Sequence, residues 1–129
     1  MIEIYIVEDF KFNIRLFKAI FETMPEVNLH FAEDGREGFE MIKNGNPDII
    51  ILDYKLPNMY GTEICKELRK VDRFKSIPII VVSSSPIKRL VDREEFFKEA
   101  GFSKLFPKPF KAKVFLDYIK EVISIIEKE

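Results

Sequence analysis

Three acidic residues, a serine and a lysine stand far apart in the chain, yet each follows a short apolar run. Glu8 and Asp9 come after residues 4–7, Asp53 after 49–52, Ser83 after 79–82 and Lys108 after 105–106. Three carboxylates brought together repel one another, so they either keep a proton at a raised pKa or hold a cation. All-oxygen donors select a hard divalent ion, and Mg²⁺ prefers one or two carboxylates, waters and a substrate phosphate to a closed protein cage. Phosphoryl transfer in turn needs an in-line nucleophile and positive charge against the equatorial oxygens. Each role has an occupant: Asp53 the nucleophile, Asp9 a direct metal ligand, Glu8 a ligand through water, Lys108 a fixed cation on a phosphoryl oxygen, and Ser83 a hydroxyl donor.

Taken singly, these residues say little. An acid pair at a strand end is often a helix N-cap, and the serines before Pro86 are typical of a loop that starts a helix. The joint placement is what carries the chemistry, and it depends on the elements beneath it.

Those apolar runs are rich in β-branched residues, as expected of strands buried on both faces of a parallel sheet. Between them lie segments with helical spacing: Ile14, Phe17, Phe21 and Met24; Ile64 and Leu68; Phe115, Ile119, Val122 and Ile126. Val27, Leu29 and Phe31 alternate with polar residues and predict an edge strand, while Leu105 and Phe106 mark a short fifth strand. Breaks at Pro25, Asp34-Gly35, Gly45-Asn46-Pro47, Pro57 to Gly61, Ser76 to Pro78 and Gly101 fall between the elements. Five βα units give one doubly wound α/β domain over residues 1–129, whose ligand belongs at the carboxyl ends of the strands, where strand order reverses.

With 21 basic and 22 acidic residues the net charge is −1, so no global field draws the molecule to nucleic acid or an anionic membrane. No apolar stretch approaches the roughly 18 residues of a membrane span. Glu3, Glu8 and Asp9 interrupt the N-terminal apolar run, against a secretory signal, and the single Cys65 closes no internal disulfide, which suits a cytoplasmic protein. Cys65, in a helix beside Ile64 and Leu68, reads as packing, and His30, on the edge strand, as a half-exposed residue outside the site. Gly38 within a predicted helix costs about 1 kcal/mol and points to close packing.

The ordered set of motifs resembles the receiver domain of two-component response regulators, over essentially the whole chain. It rests on the acidic pair in Ile6-Val7-Glu8-Asp9; on Asp53 with Pro57 and Gly61 following; on Asp34-Gly35-Arg36-Glu37; on the run from Pro78 to Ser83; and on Lys108-Pro109-Phe110. The resemblance implies a five-stranded flavodoxin-like sheet in order 2-1-3-4-5 and a cis Lys108–Pro109 bond. It implies Asp53 as phosphoacceptor, and Mg²⁺, with Mn²⁺ able to substitute, held by Glu8, Asp9, Asp53 and the Lys55 backbone carbonyl. The donor would be a phosphohistidine on a sensor histidine kinase or histidine phosphotransfer protein. The protein would be a signalling module rather than a turnover enzyme. With the last helix running to Ile126, no output domain is expected, so signalling would be by docking on a downstream protein target. The surface implied spans residues 87–97, the fifth strand and 111–118, where Lys88, Arg89 and Lys113 suit an acidic partner.

Leu105 departs from the family pattern, which often places an aromatic switch residue there. Phe106 points to the opposite face of the strand and is no substitute. Ser84, small, lets phosphate approach the backbone, and Lys55 and Ser85 flank the path of hydrolytic water. A flavin carrier of the same topology would need a Ser/Thr/Gly-rich loop after the first strand, where this chain has bulky, acidic Glu8 to Asn13. An aspartyl phosphatase would place its nucleophile after the first strand and add a cap. A pseudo-receiver acting only as a phosphorylation-independent binding module would lack one of the metal acids, the nucleophile or the lysine.

Overall fold

The β-branched runs form the middle of a parallel sheet. β1 (Ile2–Val7), β3 (Ile49–Asp53) and β4 (Ile79–Ser83) lie between edge strands β2 (Val27–Ala32) and β5 (Lys104–Pro107), in the order β2-β1-β3-β4-β5. All four pairings are parallel, with Ile6 opposite Phe31 and Ile51, Leu52 opposite Val81, and Val82 opposite Phe106. The computed structural model describes residues 1–84 and 95–128. The helices are α1 (Lys11–Phe21), α2 (Gly35–Lys43), α3 (Gly61–Arg69), α4 (95–99 of the described residues) and α5 (Ala112–Lys128), with a 3₁₀ turn at Asp72–Phe74.

Because successive strand residues face opposite ways, the sheet feeds two cores. Val7, Ile50, Leu52, Ile79 and Val81 bury against Ile42, Ile64, Leu68 and Phe97 on the face covered by α2, α3 and α4. Ile4, Ile6, Ile49, Ile51, Ile80 and Val82 bury against Phe17, Ile20, Phe21, Phe115, Ile119 and Ile123 on the face covered by α1 and α5. Each such side chain contributes about 1.5–3 kcal/mol. The fully buried β3 and β4 are what a run without polar alternation predicts, and β2 is the half-buried edge strand its alternation predicts.

Two local details shape the helices. α1 stops at Phe21, so Met24 is buried but lies outside the helix that its spacing suggested; its N–H bonds the Phe21 carbonyl at 2.9 Å. Pro25 disfavours helical geometry at the residue before it. Gly38 lets α2 approach the sheet: a Cβ there would sit 2.5 Å from both Val7 methyls.

Candidate functional site

Strand order reverses between β1 and β3, which opens a crevice at their carboxyl ends. Glu8 leaves β1 there and Asp53 is the last residue of β3, both buried, while Asp9 is exposed. One carboxylate oxygen from each of Glu8, Asp9 and Asp53 lies within 4.8 Å of the others. Lys108, just past β5, places Nζ 2.8 Å from Glu8 Oε1 and 3.3 Å from Asp53 Oδ2. The second Glu8 oxygen, Oε2, accepts the Phe10 N–H at 3.2 Å. Glu8 is thus not the cap of α1, whose N-cap residue, Phe10, makes no side-chain cap bond.

Burial, and then the negative charge of Glu8, push the Asp53 carboxyl up to about 7, against the opposing pull of Lys108. One ammonium therefore does not compensate the acids around it. An all-oxygen set with excess negative charge and one solvent-facing member, Asp9, fits a hard divalent cation that keeps some of its waters. A cavity of about 710 Å³ opens over these groups, walled by Asp9, Asp53, Lys55, Ser84 and Lys108 on its polar side and by Phe10, Phe12 and Phe110 on its apolar side.

Backbone contacts set the position of each group. The Lys108 N–H donates to the Ser83 carbonyl at 2.6 Å, and the Lys108–Pro109 peptide is cis. The Tyr54 N–H donates to the Val82 carbonyl at 3.0 Å and so fixes the residue after Asp53. Gly61 opens α3 directly against the end of β3: its N–H donates to the Tyr54 carbonyl at 2.9 Å, and a Cβ there would lie 2.4 Å from the Asp53 carbonyl oxygen. The far side of the same loop leans on α2, where the Gly35 N–H donates to the Pro57 carbonyl at 2.9 Å and Asn58 Nδ2 donates to the Asp34 carboxylate.

Glu8, Asp9, Asp53 and Lys108 thus meet, and Lys55 lines the cavity beside them. Ser83 ends β4 with 2% exposure and positions Lys108 through its carbonyl, while Ser84, the first residue past the strand, stands on the cavity wall. Ser85 lies outside the described residues. The apolar wall is a part of the site that its polar motifs do not mark; Phe10 and Phe12, exposed at 60% and 62% directly after the acidic pair, are the sequence signal for it. His30 lies away from this cluster, with Nε2 2.7 Å from Glu3 Oε1 and its ring against Tyr5. Cys65 is fully buried, and burial pushes its thiol up to about 11, so it carries little nucleophilic thiolate.

The sequence profile described as the response regulator receiver domain matches residues 4–120. The chain belongs to that family. This receiver domain is 28% identical to the polar-differentiation response regulator DivK of Brucella anthropi over 121 residues, 94% of this chain and 95% of that protein. It is 27% identical to the chemotaxis protein CheY of Pseudomonas aeruginosa over 124 residues, 95% and 96% of the two chains. The signal receiver domain of a signal transduction histidine kinase from Syntrophus aciditrophicus superposes with a TM-score of 0.86 at 28% identity, covering 100% of this chain and 95% of that one.

The receiver domain's fifth strand separates Leu105 from Phe106 as its alternation requires. Leu105 is half-buried against the core under α2, α3 and α4. Phe106 is buried on the other face, 5.1 Å from Phe115 and 5.5 Å from Tyr118 between ring centroids. Of the docking surface read from the sequence, Ile87, Lys88 and Arg89 lie outside the described residues. Lys113 is exposed but bonds Asp117 along α5 at 2.9 Å, so part of its charge is already offset.

Proposed function

We propose that this receiver domain accepts a phosphoryl group on Asp53 from a phosphohistidine donor, carried by a sensor histidine kinase or a histidine phosphotransfer protein. The reading rests above all on Lys108 Nζ standing within 3.3 Å of Asp53 Oδ2 while Asp9 and Glu8 converge on the same carboxylate. Asp9, Asp53 and the Lys55 backbone carbonyl bind Mg²⁺, or Mn²⁺ in its place, and Glu8 acts through water, its own oxygens being held by Lys108 and the Phe10 N–H. When bound, the ion neutralises the acids and draws the phosphoryl oxygens into place.

An Asp53 oxygen attacks phosphorus as the nitrogen–phosphorus bond of the donor breaks, and the imidazole leaves with the bonding pair. Lys108 moves from pairing with carboxylates to pairing with the new phosphoryl oxygen, a charge-assisted contact that strengthens as the group arrives. Ser83 supplies a hydroxyl bond at the end of β4. The phosphorylated state then shifts a two-state equilibrium that a downstream protein target reads by docking, in the cytoplasm and without direct contact to nucleic acid.

The test is phosphoryl uptake from acetyl phosphate in Mg²⁺, in Mn²⁺ and in excess EDTA. Uptake in both metals and none in EDTA supports the reading; uptake unaffected by EDTA removes the metal from it.

A further inference from the structure

The loop joining β3 to α3 carries Asp53 at its start and the Lys55 carbonyl two residues on. Leu56 and Met59 are buried while Lys55 is exposed, so the loop is anchored on its inner side and open toward the cavity. What fixes the rest of it is α2. Gly35 packs backbone to backbone against the loop: a Cβ there would lie 1.9 Å from the Met59 carbonyl oxygen. Next to this contact Asn58 adopts φ 68°, which turns the loop and carries its side-chain amide to Asp34.

Asp34 serves both elements. Its Oδ1 caps α2 by accepting the Arg36 and Glu37 N–H groups at 2.7 and 3.1 Å, and its Oδ2 accepts from Asn58. The Glu37 N–H bond foremost holds its carboxyl below the usual range, so it stays an acceptor at neutral pH. A rigid helix end is thereby clamped to the loop that bears a backbone ligand.

We propose that Asp34 and Asn58 are positioning residues for the metal centre, their link holding the loop in the arrangement from which the Lys55 carbonyl joins Asp9 and Asp53 in binding Mg²⁺. This inference rests on the metal-dependent reading above. Partners that orient a metal's ligands carry about 10- to 100-fold in affinity, and a backbone carbonyl has no side-chain rotamer to correct a displaced loop.

The test is isothermal titration of the metal-free protein with Mg²⁺ alone, beside thermal melts. Asn58→Gly removes the amide but keeps the left-handed backbone, and Asp34→Ser keeps the helix cap but is too short to reach residue 58. Each variant is expected to weaken Mg²⁺ binding about tenfold, and the double variant no further than either single, because the same link is lost. Fully additive losses, or melting points that fall with the Mg²⁺ affinity unchanged, overturn the inference and leave the pair a structural cap. A wild type that binds no Mg²⁺ overturns the metal-dependent reading as well.

Discussion

Glu8 and Lys108, separated by 100 positions in the chain, meet with Nζ 2.8 Å from Oε1, at side-chain exposures of only 1% and 13%. The pair joins the end of β1 to the end of β5 across the intervening strands. It also places the Lys108 ammonium against two acids at once, since Nζ lies 3.3 Å from Asp53 Oδ2 as well.

Removing that ammonium leaves a buried carboxylate without its partner, a change that is costly when solvent cannot replace the lost charge. Lys108→Met is therefore expected to destabilise the metal-free protein by about 2–4 kcal/mol at pH 7.5. Saturating Mg²⁺ should recover part of this by supplying positive charge. Urea unfolding in EDTA and in Mg²⁺ measures both; a loss that Mg²⁺ leaves untouched would show that the acids do not share a cation.

Asp53 gives a pH signature. Its folded pKa of about 7 lies above the ordinary 3.8, so between these values the folded state keeps a proton that the unfolded chain has released. Stability of the metal-free protein must then fall as pH rises through that window, and the penalty is complete above it. Asp53→Asn lacks this contribution and is expected to be more stable than wild type by about 4 kcal/mol at pH 8, with the gap closing toward pH 4. Parallel stability curves for the two proteins across the window would contradict the assignment.

Gly61→Ala tests the close approach beneath Asp53. The added methyl meets the Asp53 carbonyl oxygen, a backbone atom that cannot swing aside. A loss of about 2–3 kcal/mol is expected, with weaker Mg²⁺ binding because the loop must shift. A urea midpoint within error of wild type would mean that α3 starts elsewhere in solution.

Leu105 sits where receivers often carry an aromatic switch, and it packs as an aliphatic residue against the core. With no ring to rotate and no polar tip to exchange partners, it should keep its place when Asp53 is phosphorylated. Leu105 methyl resonances are expected to move little on phosphoryl addition. A structure of the phosphorylated form with Leu105 turned inward in step with a Ser83 shift would refute this.

Much of this was legible in the sequence, for a physical reason. Strands buried on both faces have no polar alternation to obscure them, so residues 49–52 and 79–82 announce β3 and β4, and the polar residues after each run fall at one edge of the sheet. The convergence of Glu8, Asp9, Asp53 and Lys108 follows from that placement. What stayed hidden depends on loop geometry. The Asp34–Asn58 bond joins two turns through a residue at positive φ, which no periodicity encodes. The end of α1 at Phe21 is hidden for a related reason, since Met24 keeps the helical spacing although the chain has already turned toward Pro25. Arg69 likewise shows only an ordinary helical arginine, yet it donates to the carbonyls of Phe74, Ile77 and Gly101.

Whether Asp53 is the phosphoacceptor can be read from intact mass after incubation with Mg²⁺ and acetyl phosphate. One phosphoryl adduct is expected on the wild type and none on Asp53→Asn. An adduct that persists on the variant would move the site elsewhere, and a wild type that takes up no phosphoryl group in Mg²⁺ or Mn²⁺ would leave a domain that works by binding alone.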